Sequence, residues 1–94
     1  MNNSMLEDMT FDQVATIATK LSSPPNNEEK ALLYGLYKQT LLGNINIEQP
    51  AFYQIEARIK WSSWKKQEGK TKEIAEEEYR KLVVKLCQKY GKNE

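Results

Sequence analysis

The stretch YGLYKQTLLG, residues 34–43, predicts a helix with two chemically different faces. Tyr34, Tyr37 and Lys38 follow the spacing i, i+3 and i+4, which places two phenols and one ammonium on a single face. The leucines between them lie on another side of the helix, which can face a hydrophobic core. Gly43 follows the last leucine, where a left-handed C-terminal cap is expected.

A second stretch, RIKWSSW at residues 58–64, places Lys60 beside Trp61 and Trp64. Ammonium groups bind anions and aromatic rings stack on flat ligands, so the two stretches together predict a pocket for a flat, anionic molecule. The tryptophans by themselves favour packing in the core or in the floor of a pocket, because aromatic side chains dominate protein cores.

The chain length and composition are those of one small globular domain. A chain of 94 residues is too short for two cores, and 39% apolar with 29% charged residues is typical of a folded soluble protein. The net charge of +1 gives no overall field that would attract nucleic acid or acidic membranes. Any anion site must therefore be local.

The chain has few residues suited to catalysis or metal binding. It has no histidine, which removes the usual general base and the commonest metal ligand. Cys87 is the single cysteine, so an internal disulfide and a cysteine-rich zinc site are excluded, and we expect a small buried hydrophobe. We expect no catalytic residues, no metal and no enzyme. Without a secretory signal or a transmembrane run, we expect a cytoplasmic protein.

Capping signals predict the first two helices. The first starts between Ser4 and Thr10, since either residue can open a capping box, and ends at residues 22–25, SSPP. The second starts at Asn26 or Asn27 and runs to about residue 42. Residues 43–53 lack a helical stripe and are expected to form the longest irregular connection.

Two more helices follow. The third spans residues 55–67 and ends near Gly69; the fourth is capped by Thr71 and ends at Gly91. The apolar side of the third helix is expected to carry Ile55, Ile59 and Trp61. Four amphipathic helices predict an all-α bundle. We expect a flexible segment at residues 1–9, the domain at 10–91 and a tail at 92–94.

The order of the motifs resembles acyl-CoA-binding proteins from Phe11 to Gly91. It reads F-x13-P, then YxxYKQxxxGNxN, a proline, KWxxW, GxTxE and a late Tyr79. The resemblance implies an up-down-down-up four-helix bundle that binds and transports medium- or long-chain fatty acyl-CoA without catalysis and buffers the acyl-CoA pool. It implies no cofactor besides this ligand.

The resemblance also implies site residues. The coenzyme A head group would be bound by Tyr34, Tyr37, Lys38, Lys60 and Tyr79. The acyl groove or motif neighbours would include Ala15, Thr19, Lys30, Ala31, Gly35, Leu36 and Glu56. The family usually has basic residues near Thr19 and at Glu56, and an apolar residue at Lys30. We expect Lys30 to shorten the preferred acyl chain or to contact the head group.

The implied partners are acyl-CoA, and transiently the enzymes or membranes that exchange it, with a monomeric protein and no nucleic acid. An alternative from another class is a helical interaction module. Its basic, tryptophan-containing third helix would then bind a protein helix, nucleic acid or an anionic membrane surface.

Overall fold

The computed structural model describes residues 8–91, which form four helices and no strand beyond one isolated bridge residue, Leu21. The helices are α1 (Phe11–Ala18), α2 (Asn27–Leu42), α3 (Ile55–Lys65) and α4 (Lys72–Tyr90). The all-α prediction is confirmed. The possible cap at Ser4, most of the predicted flexible segment and the tail at residues 92–94 lie outside the described residues.

Side-chain caps begin three of the helices, as predicted. Thr10 and Gln13 form a reciprocal capping box at the start of α1, and Asn26 and Glu29 form another at the start of α2. The Thr71 hydroxyl accepts a hydrogen bond from the first turn of α4. Each cap satisfies backbone N–H groups that would otherwise lack a partner.

Helix α1 ends earlier than the proline signal predicted. Its last turn tightens, with the Thr19 and Lys20 N–H groups bonding to carbonyls three residues earlier at 3.0 and 2.9 Å. The Ser22 N–H then donates to the Gly91 carbonyl at 3.1 Å. This contact with the distant end of α4 takes the chain out of the helix about one turn before the prolines.

Gly43 corrects a second prediction. Its φ of 78° is positive, but its ψ of −151° is extended, so the residue does not form the expected left-handed helical cap. The Gly43 carbonyl instead accepts a hydrogen bond from the Trp64 indole N–H at 2.8 Å. The end of α2 is thus fixed by a side chain of α3.

Paired contacts at both ends show that α1 and α4 run in the same direction. Near the start of α1, the Met9 carbonyl accepts a hydrogen bond from the Arg80 guanidinium at 2.8 Å, and beyond its end Ser22 meets Gly91. Helix α2 runs opposite to α4, because Glu29 at its start contacts Lys89 near the end of α4.

Helix α3 packs mainly on α2, whereas α4 packs on both α1 and α2. Helix α3 runs parallel to α2, since Lys60 lies by Tyr34 and, one turn further along both helices, Trp64 lies by Lys38. The implied up-down-down-up order is therefore confirmed.

The apolar side of α3 was predicted wrongly. Ile55 and Ile59 are exposed, and the buried residues of this helix are Ser63 and Trp64. A Cβ atom on Gly35 would lie only 2.2 Å from the Ser63 carbonyl oxygen. The glycine lets the two backbones touch, and this close crossing turns Ser63 inward and leaves the isoleucines on the outside.

The main core lies between α1, α2 and α4. Its buried side chains are Val14, Ile17, Leu36, Tyr79, Val83 and Cys87. The prediction that Cys87 is a buried hydrophobe is confirmed.

An ion-pair cluster at Glu29 holds the start of α2 against the end of α4. Its carboxylate accepts hydrogen bonds from the Lys89 ammonium at 2.8 Å, from the Tyr90 hydroxyl and from the Asn26 N–H. These bonds, that of Lys89 first, lower the pKa of Glu29 from 4.5 to about 2. The same contact raises the pKa of Lys89.

This cluster predicts a defined acid sensitivity. A lowered carboxyl pKa contributes stability that is complete above about pH 4.5 and is lost as the pH falls toward about 2. Glu29→Gln should therefore reduce the free energy of unfolding at neutral pH, and its difference from the parent should vanish near pH 2. Urea unfolding at a series of pH values measures this. Glu28→Gln, at the exposed neighbouring position, is the matched control. If the stability of Glu29→Gln depends on pH in the same way as that of Glu28→Gln, the prediction is wrong.

Candidate ligand-binding site

Three tyrosines line a cavity between α1, α2 and α4. Its volume is about 480 Å³, and Tyr34, Tyr37 and Tyr79 form one side of it. Three of the residues predicted for the acyl groove or as motif neighbours also line it: Ala15, Thr19 and Lys30. Much of the remaining wall is apolar and comes from the segment that joins α1 to α2.

Phe11 holds two of these rings in place. It stacks on Tyr37 with ring centroids 5.5 Å apart and meets Tyr79 at 5.0 Å in a tilted arrangement. Tyr37 and Tyr79 are 6.2 Å apart. Aromatic pairs of this geometry contribute about 0.5–1.5 kcal/mol beyond their buried area. The sequence indicated Phe11 only as the first residue of the motif order, because a motif does not say which rings the residue meets.

Tyr79 is the most buried of the three tyrosines, with 4% of its surface exposed. Burial, with a smaller effect of the neighbouring Tyr37, raises the pKa of Tyr79 to about 12. A tyrosine hydroxyl is neutral at physiological pH with or without this shift, so that of Tyr79 can donate a hydrogen bond.

Two ammonium groups from different helices lie near the ring of Tyr34. The Nζ atoms of Lys38 and Lys60 each lie 5.8 Å from the centre of its ring. Lys38 also lies 5.6 Å from a ring of Trp64 and makes no ion pair with any residue between 8 and 91. Because α2 supplies one lysine and α3 the other, only the folded bundle brings these two positive charges together.

Glu56 has a partner that sequence reasoning did not find. Its carboxylate lies 3.8 Å from the Lys60 ammonium, one turn away on α3, and both side chains are exposed. A surface pair of this length contributes little to stability. It leaves Lys60 able to turn toward an incoming anion.

A second depression lies between α2 and α3. It has a volume of about 410 Å³, and its apolar walls come from Ala31, Phe52, Ile55 and Ile59. Ala15 and Ala31, predicted to line one groove, therefore lie in two different depressions. We call this second depression the α2–α3 cleft.

Lys38, Lys60 and Glu56 line neither of these two depressions, and two other predicted residues are covered by protein. Leu36 is buried in the core, and Gly35 is covered by the backbone of α3. Both shape the site by packing rather than by reaching a ligand.

The tryptophans fasten the long connection to α3. The Trp64 indole N–H reaches the Gly43 carbonyl, and the Trp61 indole N–H donates to the Ile47 carbonyl at 2.9 Å. Trp64 is buried and Trp61 half-buried, in agreement with the packing interpretation. Residues other than these two tryptophans therefore make up most of the exposed face of α3.

Comparisons with known proteins agree with this arrangement. A family model described as acyl-CoA-binding protein matches residues 8–83. The chain belongs to the acyl-CoA-binding protein family. One member, acyl-CoA-binding domain-containing protein 1 of Oryza sativa subsp. japonica, is 41% identical over 78 residues, which cover 83% of this chain and 86% of the relative. The acyl-CoA-binding protein of Saccharomyces cerevisiae is 38% identical over 81 residues, 86% and 93% of the two chains.

The fold of this family member is also similar to solved structures. The crystal structure of acyl-CoA-binding protein 2 from Oryza sativa superposes with a TM-score of 0.81 at 35% identity, covering 94% of this chain and 93% of that one. Among the described residues, no helix is long and apolar enough to span a bilayer, and no group of three or more acidic, histidine or cysteine side chains is placed to hold a metal.

Proposed function

We propose that this protein binds medium- and long-chain fatty acyl-CoA, with the coenzyme A head near Tyr34 and the acyl tail in the α2–α3 cleft. The observation that carries the proposal is the pair of lysines from different helices whose Nζ atoms each lie 5.8 Å from the centre of the Tyr34 ring. Tyr34 is part of the wall of the tyrosine cavity, and Ile59, which precedes Lys60 in the sequence, is part of the wall of the aliphatic α2–α3 cleft. Such an arrangement suits a ligand that is anionic and aromatic at one end and apolar at the other.

The head group matches the polar part of the site. Its phosphates would lie between Lys38 and Lys60, where a charge-assisted hydrogen bond is worth about 1.5–3 kcal/mol. The tyrosine cavity offers flat faces to the adenine, and stacking on an aromatic side chain adds about 1–3 kcal/mol. Lys30 lines this cavity, which favours contact with the head group over an effect on chain length.

The tail matches the α2–α3 cleft. Ile55 and Ile59 are largely exposed and line the cleft together with the small side chain of Ala31. Each methylene that leaves water contributes about 0.8 kcal/mol, so a long chain gains much more from this surface than a short one.

The protein would act as a carrier and not as an enzyme. It would buffer and transport acyl-CoA in the cytoplasm as a monomer, with transient contacts to membranes and to enzymes that use acyl-CoA, and without a further cofactor. The site offers lysine and tyrosine groups for binding, with no histidine anywhere in the chain to act as a general base.

The experiment is calorimetric titration with palmitoyl-CoA, with free coenzyme A and palmitate as separate controls. We expect one-to-one binding of the thioester and much weaker binding of either fragment, because each fragment fills only half of the site. Equal affinity for palmitoyl-CoA and free coenzyme A would mean that the acyl tail does not contribute to binding, which contradicts its proposed place in the cleft.

The cleft predicts a chain-length effect of Ile59→Asn. A polar amide in place of the exposed apolar side chain should reduce affinity for palmitoyl-CoA by about tenfold, since it removes apolar contact worth roughly 1–2 kcal/mol. Affinity for a short-chain ester such as butyryl-CoA should change little. Calorimetry with both esters measures the difference. Leu41→Asn, an exposed apolar position elsewhere on the bundle, serves as the control, and equal losses for both esters would place the tail elsewhere.

A further inference from the structure

The turn before α3 and one face of α3 form an exposed apolar surface. Phe52, Tyr53, Ile55 and Ile59 are 80%, 72%, 70% and 54% exposed. Apolar side chains gathered at one place on a small soluble domain indicate an interaction site. We call these four residues the apolar tip.

The apolar tip is held in a defined shape. The Gln54 N–H donates to the Ala51 carbonyl at 2.9 Å, and the Gln54 side chain accepts from the Ala51 N–H at 3.2 Å. The rings of Phe52 and Tyr53 meet edge to face, with centroids 5.6 Å apart. The turn thus projects two aromatic rings outward, away from the core.

Unpaired positive charge lies beside the apolar tip. On α3 and the turn that follows it, Lys60 pairs with Glu56 and Lys65 pairs with Glu68. Arg58 and Lys66 line the α2–α3 cleft and make no ion pair within residues 8–91.

Nearby carboxylates do not cancel these two charges. Glu28 lines a depression next to Lys66 but is not within ion-pair distance of it. The surface therefore combines protruding aromatic and aliphatic groups with a net positive flank, on a protein whose overall charge is only +1.

We propose that the apolar tip, with Arg58 and Lys66, docks the protein on the surface of an anionic lipid bilayer. Aromatic and aliphatic side chains insert at the boundary between head groups and acyl chains, and basic residues beside them attract acidic lipids. The complementary charge favours acidic lipid over a neutral surface. The role of this docking rests on the proposed acyl-CoA function. Docking places the mouth of the α2–α3 cleft at the leaflet, where acyl tails reside.

The test is co-sedimentation of the ligand-free protein with phosphatidylcholine vesicles, with and without phosphatidylserine, at low and physiological salt. We expect binding that requires phosphatidylserine and weakens with salt. Arg58→Gln with Lys66→Gln should lower partitioning by about thirtyfold, since each basic residue near such a surface is worth about 1 kcal/mol. Phe52→Ser with Tyr53→Ser should lower it by roughly tenfold or more.

Matched controls lie elsewhere on the surface. Lys85→Gln removes an exposed charge from α4, and Leu42→Ser removes an exposed leucine at the end of α2. Both should bind vesicles as the parent does. Absence of parent binding to the acidic vesicles, or losses as large in the controls as in the tip variants, would overturn the proposal and leave a protein partner as the occupant.

Palmitoyl-CoA titration in solution, on the same preparations, separates the two proposals. A parent protein that binds palmitoyl-CoA but not acidic vesicles contradicts docking alone. A parent that binds vesicles but not palmitoyl-CoA contradicts the carrier function and leaves the docking surface standing as a lipid-binding site.

Discussion

Replacing both Lys38 and Lys60 by glutamine should weaken palmitoyl-CoA binding by about two to four orders of magnitude, because each lysine is expected to supply a charge-assisted hydrogen bond of roughly 1.5–3 kcal/mol. The two Nζ atoms lie at equal distances from the Tyr34 ring, on different helices. Glutamine keeps most of the side-chain length and the ability to donate a hydrogen bond, so the loss reports on charge. Calorimetry with palmitoyl-CoA measures it.

The salt dependence of the same titration makes this prediction sharper. Parent affinity should fall as salt rises, and the double variant should respond less, because fewer ionic contacts remain to be screened. Lys65→Gln is the matched control, since Lys65 also lies on α3 and forms an ion pair with Glu68. If that control loses as much affinity as the double variant, the phosphates are not bound at Tyr34.

Gly35→Ala should destabilise the bundle by about 3 kcal/mol, although alanine is the better helix former by about 1 kcal/mol. The added Cβ would lie 2.2 Å from the Ser63 carbonyl oxygen and 2.8 Å from its carbonyl carbon. A backbone cannot rotate away as a side chain does, so α3 must move off α2. Urea unfolding gives the change in free energy.

The same substitution should also weaken palmitoyl-CoA binding, because Lys60 and one wall of the α2–α3 cleft move with α3. Leu41→Ala, an exposed change on the same helix, should alter neither stability nor binding appreciably. Unchanged stability of Gly35→Ala would mean that the crossing of α2 and α3 is much looser than the close approach of Gly35 and Ser63 indicates.

Local signals predicted most of the fold. The capping boxes at Thr10 and Asn26 and the cap at Thr71 depend on residues within one turn, and all three are present. The end of α1 was missed because it depends on a hydrogen bond between Ser22 and Gly91. No pattern within α1 encodes a contact with a residue so far along the chain.

The candidate site shows the same division. The spacing of Tyr34 and Lys38 places them on one face without knowledge of any neighbour. Which side of that face meets α3 depends on the crossing at Gly35, so the separation of Ala15 from Ala31 and the exposure of Ile59 could not be predicted. A helical period gives the faces of a helix but not the neighbour that each face meets.

Because α3 packs mainly on α2, we expect it to detach from the bundle more readily than α4 does. Helix α4 is held by α1 and α2, but α3 has one principal neighbour, and it carries Lys60 and the outer wall of the α2–α3 cleft. A unit with a single interface opens at lower free energy than the whole molecule unfolds. Amide hydrogens of α3 should therefore exchange with solvent faster than those in the middle of α2 and α4, and bound palmitoyl-CoA should slow the exchange of α3 most. Breathing of this one helix would then admit and release a long acyl chain while the tyrosine cavity keeps its shape.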